Sequence, residues 1–463
     1  MFHPGIFKAY DIRGIYPSEL NEEHVFIIAS SFAALLQQEH PEKKLTVVVG
    51  RDMRTSSESL AIQAIQALAE QGVDVVNIGL VSTPTFYFGV AFYGYDGGLM
   101  ISASHNPKEY NGVKFTRAAA VPVSGDTGIY DIRDRSLAHE RVSAKKHANP
   151  PVAVGQKGTI SMRDGVLQDE VAFMLERFSP CSIKPLKIVA DPANSMGSLY
   201  LEEVFQYLPC TLVKLNWPLD GTFPSHEPDP LKEENLFELK QAVIQNKADL
   251  GIATDGDGDR IFFVDEKGEV LPPAILRGML AQIFLKEKPG AVIGYDIRPG
   301  RITRDMIEQA GGIPLQTRVG HSLIKEESRA AGAYFSGESS GHFFVDIGIG
   351  FFEVPVLILL KFLEELSSRN IPLSQWAAPY KKYFHSGEIN LEVSQKDAAL
   401  RTIEEKYKDA HMLHIDGVTI EYEDWWANIR SSNTQNLLRI TVEARTEQLM
   451  KEKRDEILAF INS

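Results

Sequence analysis

The chain repeats one plan three times, and the repeat leaves few folds open to it. Each round opens with an apolar, strand-like run ending near an aspartate: Val47-Val48-Val49-Gly50-Arg51-Asp52, Ile188-Val189-Ala190-Asp191 and Val292-Ile293-Gly294-Tyr295-Asp296. A helical pattern follows, as over 59–71 and 200–207. A second strand is expected next, at 73–78, 211–215 and 313–319. A further helix then leads to a third strand that ends in a loop rich in Gly, Ser or Asp: 102–107, 254–260 and 337–342. Alternating β and α segments imply right-handed crossovers and mixed sheets covered by helices. The three loops thus occupy equivalent ends of three similar units, where open α/β sheets bind ligands.

The last stretch breaks the pattern, with strands expected around 388–393, 418–422 and 437–443 and a charged closing helix over 446–461. The expected fold class is α/β, with three similar mixed-sheet α/β domains plus a smaller C-terminal α+β domain around a central cleft. A length of 463 residues agrees, because a single core rarely serves so long a chain. Joints are expected at 144–158, near 265–273 and near 367–375, which gives domains over 1–147, 155–267, 268–372 and 373–463.

Net charge is −14, which argues against general nucleic-acid binding, so an anionic substrate would need positive charge concentrated in the cleft. The two cysteines, Cys181 and Cys210, form no Cys-x-x-Cys and read as buried thiols in a reducing cytosol rather than as a zinc site or a disulfide. The apolar runs 25–36 and 354–360 are too short to span a bilayer, and no basic segment followed by an apolar core opens the chain. A cytoplasmic enzyme with no membrane partner is expected.

Two loops carry chemistry on their residues alone. Ile101-Ser102-Ala103-Ser104-His105-Asn106-Pro107 follows a buried strand, and its small residues and Pro107 hold the Ser104 hydroxyl out at the strand's end. Asp255-Gly256-Asp257-Gly258-Asp259 places carboxylates at every second position, with glycines permitting tight wrapping. Converging carboxylates call for a hard cation, and oxygen ligands suit Mg²⁺. An EF-hand is rejected, although Glu266 falls at the twelfth position, because Arg260 stands at the sixth and strands flank the loop. Arg430-Ser431-Ser432-Asn433-Thr434 puts a guanidinium, hydroxyls and an amide before a strand, in a turn whose N–H groups can hold an anion.

Taken in order, Tyr10-Asp11-Ile12-Arg13-Gly14, Ser102–Pro107 with Tyr110-Asn111-Gly112-Val113-Lys114, Asp255–Arg260, Gly337-Glu338-Ser339-Ser340-Gly341-His342 and Arg430–Thr434 resemble the motifs of the α-D-phosphohexomutases. The first and fourth resemble the phosphomannomutase/phosphoglucomutase branch most. The resemblance implies that Ser104 is a phosphoserine that completes the Mg²⁺ shell of Asp255, Asp257 and Asp259, with Arg260 on its phosphate. It implies transfer to the free 1- or 6-hydroxyl of a hexose monophosphate, through a hexose 1,6-bisphosphate that serves as primer and intermediate. Lys114, His342 and Arg13 are the candidate acids and bases, with Lys114 first. Substrate contacts are implied for Tyr10, Arg13, His105, Lys114, Arg298, His321, Glu338, Ser340, His342, Arg430, Ser432, Asn433, Thr434 and Arg439. Sugar phosphates are the implied partners, and the chain is expected as a monomer or homodimer.

Some positions depart from the family pattern. Gln435-Asn436 replaces a usual Glu-Pro, Arg298 a common lysine, and Phe351-Phe352-Glu353-Val354-Pro355 an acidic pair followed by glycine; Asp191-Pro192-Ala193-Asn194-Ser195 lacks one glycine. These bear on specificity and efficiency rather than on reaction class. Phosphoglucosamine mutase is the sibling alternative, and the 10–14 and 110–114 segments lean against it. A non-catalytic sugar-phosphate sensor is the alternative from another class, but binding alone needs neither Ser104 nor three aspartates. No Gly-x-Ser-x-Gly surrounds Ser104 and no Gly-Lys occurs, which speaks against a serine hydrolase and a Walker A ATP site.

Overall fold

The computed structural model describes residues 3–146, 156–177, 182–298, 300–393, 395–431 and 437–461. They form two compact units, Met1–Leu271 with Ser340–Ser374, and Pro272–Ser339 with Gln375–Ser463.

The first unit begins with β1 (Ile12–Ile15), α1 (Glu22–Glu39), β2 (Thr46–Arg51), α2 (Ser57–Glu70), β3 (Asp74–Leu80), α3 (Thr83–Phe92), β4 (Gly97–Ile101), β5 (Tyr110–Arg117), α4 (Tyr130–Lys146) and β6 (Ile160–Met162). The strands form one mixed sheet in the order β1-β5-β4-β2-β3-β6. β2 runs parallel to β3 and β4, whereas β5 runs antiparallel to β4 and β1. Helix starts follow the chemistry of their first residues. Asn21 caps α1 by accepting from the His24 amide at 3.0 Å, and Glu22 and Glu23 complement the positive end of the helix. Ser82 caps α3, with Pro84 in its first turn. All five β4 residues are buried, as a central strand's apolar run should be. Gly98 admits the Phe86 ring there, since a Cβ would lie 2.5 Å from it.

A second sheet follows, built from α5 (Val166–Glu176), β7 (Lys187–Asp191), α6 (Gly197–Phe205), β8 (Thr211–Lys214), α7 (Phe237–Asn246), β9 (Leu250–Thr254) and β10 (Ile261–Asp265). Its order is β10-β9-β7-β8, with only β10 antiparallel. In the second unit, α8 (Pro273–Glu287), β11 (Val292–Asp296), α9 (Arg301–Gln309), β12 (Ile313–Thr317), α10 (His321–Ala330) and β13 (Phe335–Gly337) repeat the plan around the parallel order β12-β11-β13. The chain then returns to the first unit as the hairpin of β14 (Phe343–Asp346) and β15 (Phe351–Glu353), followed by α11 (Pro355–Arg369). There Phe362 stacks on Phe263 of β10, centroid to centroid 4.2 Å.

After the short α12 (Leu373–Ala377), the second unit ends in β16 (Phe384–His385), β17 (Ile389–Glu392), α13 (Lys396–Lys406), β18 (His411–Leu413), β19 (Val418–Glu421), β20 (Trp425–Ser431), β21 (Leu437–Ala444) and α14 (Glu447–Ile461). These strands make an antiparallel sheet, β16-β21-β20-β19-β18 with β17 also on β21. It is the expected α+β segment, with its own core of Ile420, Ile429, Ile440, Val442 and Ile457.

Three details differ from the sequence expectations. Residues Ile160–Met162, in the stretch assigned to the second domain, form β6 and pair with β3 in the first sheet. The strand expected to reach 319 stops at Thr317, and Gly320 at φ +131° stands as the residue capping the start of α10. Cys210 is half-buried rather than buried, and Cys181 lies outside the described residues. Among the described residues, no helix is long and apolar enough to cross a membrane.

One buried carboxyl ties α5 to α3. Glu170 accepts a hydrogen bond from Thr85 Oγ1 at 2.6 Å, and burial pushes its pKa from 4.5 up to about 7. The folded chain therefore holds this proton more tightly than the unfolded chain. The group's stabilising share is present in acid and is lost as pH rises from 4.5 to about 7. Glu170→Gln should raise the thermal midpoint at pH 8 by the equivalent of about 1–3 kcal/mol and have little effect at pH 4.5. Equal shifts at both pH values would show that Glu170 does not titrate in this range.

Candidate active site

Ser104 sits three residues beyond the end of β4, in the left-handed region at φ +51°. A non-glycine residue holds that conformation only where its surroundings fix it. Here the Ser104 amide donates to Ser102 Oγ at 3.0 Å and the Ser102 amide to the Gly112 carbonyl at 3.1 Å. The Ser104 hydroxyl, 1% exposed as a residue, donates to Asp255 Oδ2 at 2.8 Å and lies 3.3 Å from His105 Nδ1. Gly256 makes this approach possible, because a Cβ there would lie 2.3 Å from the Ser104 carbonyl oxygen.

The aspartate loop turns sharply after β9, with Gly258 at φ +76°. Ligand atoms of Asp255, Asp257 and Asp259 come within 4.8 Å of one another, all buried. Asp257 is fixed from α3, where Thr83 Oγ1 donates to its Oδ2 at 2.6 Å and the Thr83 amide to its carbonyl at 3.0 Å. Burial, then Asp259 and Asp257, raise the Asp255 pKa well above the ordinary carboxylate value. Oδ1 of Asp257 and Oδ1 of Asp259 are buried and accept no hydrogen bond among the described residues. Hard oxygen donors, unspent lone pairs and uncompensated negative charge fit a small divalent cation such as Mg²⁺. Asp259, His342 and Glu353 form a second cluster of potential ligands within the same 4.8 Å limit.

Lys114 is the nearest positive charge. Its Nζ donates to Asp257 Oδ2 at 2.6 Å and Asp259 Oδ2 at 2.8 Å. Burial works against the ammonium, but the two aspartates outweigh it and hold its pKa well above the lysine value. β5 pairs with β1 so that Gly112 opposes Arg13, which puts Arg13 and Lys114 diagonally on one face. Arg13 donates from Nε to Asp11 at 2.9 Å and from Nη1 to Asn106 Oδ1. Arg260 Nε donates to His342 Nε2 at 3.1 Å, so the His342 ring proton is on Nδ1, which faces Asp259 at 3.4 Å and Glu353 at 3.6 Å. Burial, then Arg260 and Arg13, depress the His105 pKa well below the histidine value. Ser104, His105, Lys114, Arg13, Arg260, His342 and the three aspartates thus come together in the first unit. Tyr10 is half-buried and Ser340 buried in the same unit.

In the second unit, Glu338 accepts from Arg298 Nη2 at 2.9 Å and from the Gly320 amide at 3.1 Å, one residue before His321. Arg298 Nε also donates to Asp296 at 2.6 Å, and the Ser339 amide and hydroxyl donate to the same carboxylate at 3.2 and 2.9 Å. Elsewhere in that unit Arg430 and Arg439 stand directly opposite on β20 and β21. Like charges so placed repel, and Glu388 bridges them, pairing with Arg430 and lying 3.3 Å from Arg439. Ser432, Asn433 and Thr434 lie outside the described residues.

Sequence reading missed the supports of this site. Asp296 and Glu353 fall in stretches the sequence reading singled out without a role in the chemistry, and Thr83 in the first unit and Glu388 in the second were given none. Ser82-Thr83-Pro84, a helix-start signature, and Asp52-Met53-Arg54, at the end of a buried strand, are local signals that could have been followed further.

Models of phosphoglucomutase/phosphomannomutase domains match the chain end to end: alpha/beta/alpha domain I over 4–140, domain II over 171–268, domain III over 274–383 and the C-terminal domain over 388–460. The chain belongs to this family. It is a phosphohexomutase, an intramolecular phosphotransferase. The chain is similar to a phosphomannomutase of Methanocaldococcus jannaschii, 38% identical over 456 residues, covering 98% of this chain and 97% of that one. A phosphomannomutase of Vibrio cholerae is 36% identical over 466 residues and 98% of both chains. A phosphoglucomutase/phosphomannomutase family protein of Burkholderia thailandensis has a crystal structure that superposes with a TM-score of 0.88 at 30% identity, covering 100% of this chain and 98% of that one. The four-domain α/β plan expected from the repeat is the fold of this family.

The acidic triad makes a direct prediction. Calorimetric titration of Mg²⁺ into the full chain should show a binding event that Asp257→Asn weakens by on the order of tenfold or more. Unchanged binding in the variant would mean that the loop does not hold the metal.

Proposed function

We propose that this phosphohexomutase interconverts hexose 1-phosphate and hexose 6-phosphate, with mannose, glucose or both as the sugar, by way of phospho-Ser104. The observation that carries the reading is the Ser104 hydroxyl at 2.8 Å from Asp255, within an acidic cluster built for a hard cation. Two relatives called phosphomannomutases support mannose. Asp255, Asp257 and Asp259 would hold Mg²⁺ together with the Ser104 phosphate. When bound, that ion offsets carboxylate and phosphate charge.

In the first transfer the sugar hydroxyl oxygen forms a bond to phosphorus while the bond from phosphorus to Ser104 Oγ breaks; in the second, Ser104 Oγ forms the bond and the sugar oxygen leaves. The hydroxyl proton leaves with a base, and the departing oxygen is stabilised. Lys114 is the first candidate for handling that proton, with His342 and Arg13 behind it. Arg260 pairs with His342 and lies 3.6 Å from Asp255, where its guanidinium suits phosphate oxygens. After the bisphosphorylated sugar reorients, the reverse transfer returns its other phosphate to Ser104. Glu338, Ser340 and His321 are assigned to the sugar. Arg298, Arg430, Arg439 and the segment 432–434 are assigned to its phosphate or ring oxygens, and Tyr10 and His105 to substrate contact. Domain limits at 1–147, 155–267, 268–372 and 373–463 belong to the same reading, except that Ile160–Met162 pair into the first sheet.

Ser104→Ala should lose nearly all mutase activity and still fold, with stability lowered by about 1–3 kcal/mol for the donor lost to buried Asp255. Intact-mass measurement should find phosphate on a fraction of wild-type molecules and none on the variant. Near-wild-type turnover by Ser104→Ala would sink the phosphoserine mechanism. Arg430→Ala should weaken the 1-phosphate and the 6-phosphate sugar alike, by roughly ten- to hundredfold in Kd, since one charge-assisted contact contributes about 1.5–3 kcal/mol. Calorimetry that shows loss for only one of the two would remove Arg430 as a clamp shared by both orientations.

A further inference from the structure

Arg54 is the most deeply buried arginine near Ser104, at 2% exposure, and nothing in the proposed chemistry uses it. Its Nη2 donates to the carbonyls of Ser104 at 2.7 Å and Asn106 at 2.6 Å. Its Nη1 donates to those of Pro107 at 2.7 Å and Tyr110 at 3.0 Å. Nε faces Asp52 Oδ2 at 3.3 Å. Asp52 is itself fixed, accepting from the Arg54 amide at 3.0 Å and from Ser57 Oγ at 2.5 Å, while its own amide donates to Ile101 at the end of β4.

One guanidinium therefore gathers four carbonyl oxygens of the Ser104–Tyr110 loop onto one plane. Tyr110 opens β5 and the Pro107 carbonyl also accepts from the Tyr110 amide at 3.1 Å, but no strand or helix holds the Ser104 and Asn106 carbonyls, and a buried carbonyl without a donor is costly. Gathering them also forces the turn that leaves Ser104 at φ +51° with its hydroxyl on Asp255. The outer side of the guanidinium is covered by Phe223, 5.0 Å from ring centroid to Cζ. Phe223 is itself left-handed at φ +48°, and Gly221 lies so close that a Cβ would be 2.7 Å from Arg54 Cα.

We propose that Arg54 is a positioning residue for phosphoryl transfer. It holds the Ser104 loop by its backbone so that the serine oxygen stays aimed at the aspartate cluster, and Phe223 locks Arg54 in that posture. The inference rests on the phosphoserine reading. Its signature is a loss mainly in kcat rather than KM, because Arg54 bonds the loop that carries the reacting oxygen and, of the groups assigned to the substrate, that loop carries only His105. A lysine keeps the charge, but its single nitrogen with three donors cannot serve four carbonyls.

The test uses the full chain with Mg²⁺ and glucose 1,6-bisphosphate, following phosphate on Ser104 by intact mass and turnover of glucose 1-phosphate at a temperature well below each variant's unfolding. Arg54→Lys should be phosphorylated and turn over at least about tenfold more slowly than wild type, with KM within about twofold, since a displacement near 1 Å can cost a hundredfold in rate. Phe223→Leu, which keeps the guanidinium and removes its cover, should show a smaller fall of the same kind. A folded Arg54→Lys with wild-type kcat, or with its whole loss in KM, overturns the inference. If Arg54→Lys does not fold, wild-type kcat in Phe223→Leu overturns it. A wild-type chain that takes no phosphate overturns the phosphoserine reading and, with it, this inference; phosphate taken equally fast by wild type and Arg54→Lys overturns the inference alone.

Discussion

Three carboxylates buried within 4.8 Å of one another are the constraint to which the rest of the first unit answers. Such a cluster cannot persist in a dry interior unless positive charge and hydrogen-bond donors surround it. Every neighbouring element supplies one. β5 brings Lys114, α3 brings Thr83, the loop after β4 brings the Ser104 hydroxyl, and the segment after β9 brings Arg260. The sheet order β1-β5-β4-β2-β3-β6 puts β4 beside β5, so the serine loop and Lys114 arise on adjacent strands. Topology and charge balance are thus two descriptions of one requirement.

The second unit meets a different demand with similar means. Its arginines are held by carboxylates instead of the reverse. Arg298 spans Asp296 and Glu338, Arg277 pairs with Asp296, and Glu388 bridges Arg430 and Arg439. Burial opposes ionisation of Asp296, but Arg298 and Arg277 outweigh it and hold its pKa below the ordinary value. Held by these carboxylates, the guanidinium groups have little side-chain freedom left to lose.

Much of this was legible in the amino-acid order, because period and punctuation report local structure directly. The repeat of strand, helix and Gly/Ser/Asp loop marked the three α/β units, and Asp-Gly-Asp-Gly-Asp marked its own cluster. What stayed hidden depends on distance in the chain. Thr83 meets Asp257 across 174 positions and Arg54 meets Ser104 across 50, and no local pattern announces either partner. β6 was missed for another reason. Its three residues are all exposed, so no burial pattern distinguishes Ile160–Met162 from a linker.

The hairpin β14–β15 and helix α11 belong to the first unit although the chain reaches them only after residue 339. Phe362 of α11 is the stacking partner of Phe263, 99 positions earlier in the chain. On a ribosome adding about 5–20 residues per second, the β10 aromatic waits roughly 5–20 s for its cover. The strands of the first two sheets are all made before that interval ends, but the Phe263 ring stays without this stacking partner until the late segment arrives. The order of synthesis thus leaves a core ring of β10 waiting for a partner made well after its own sheet is complete.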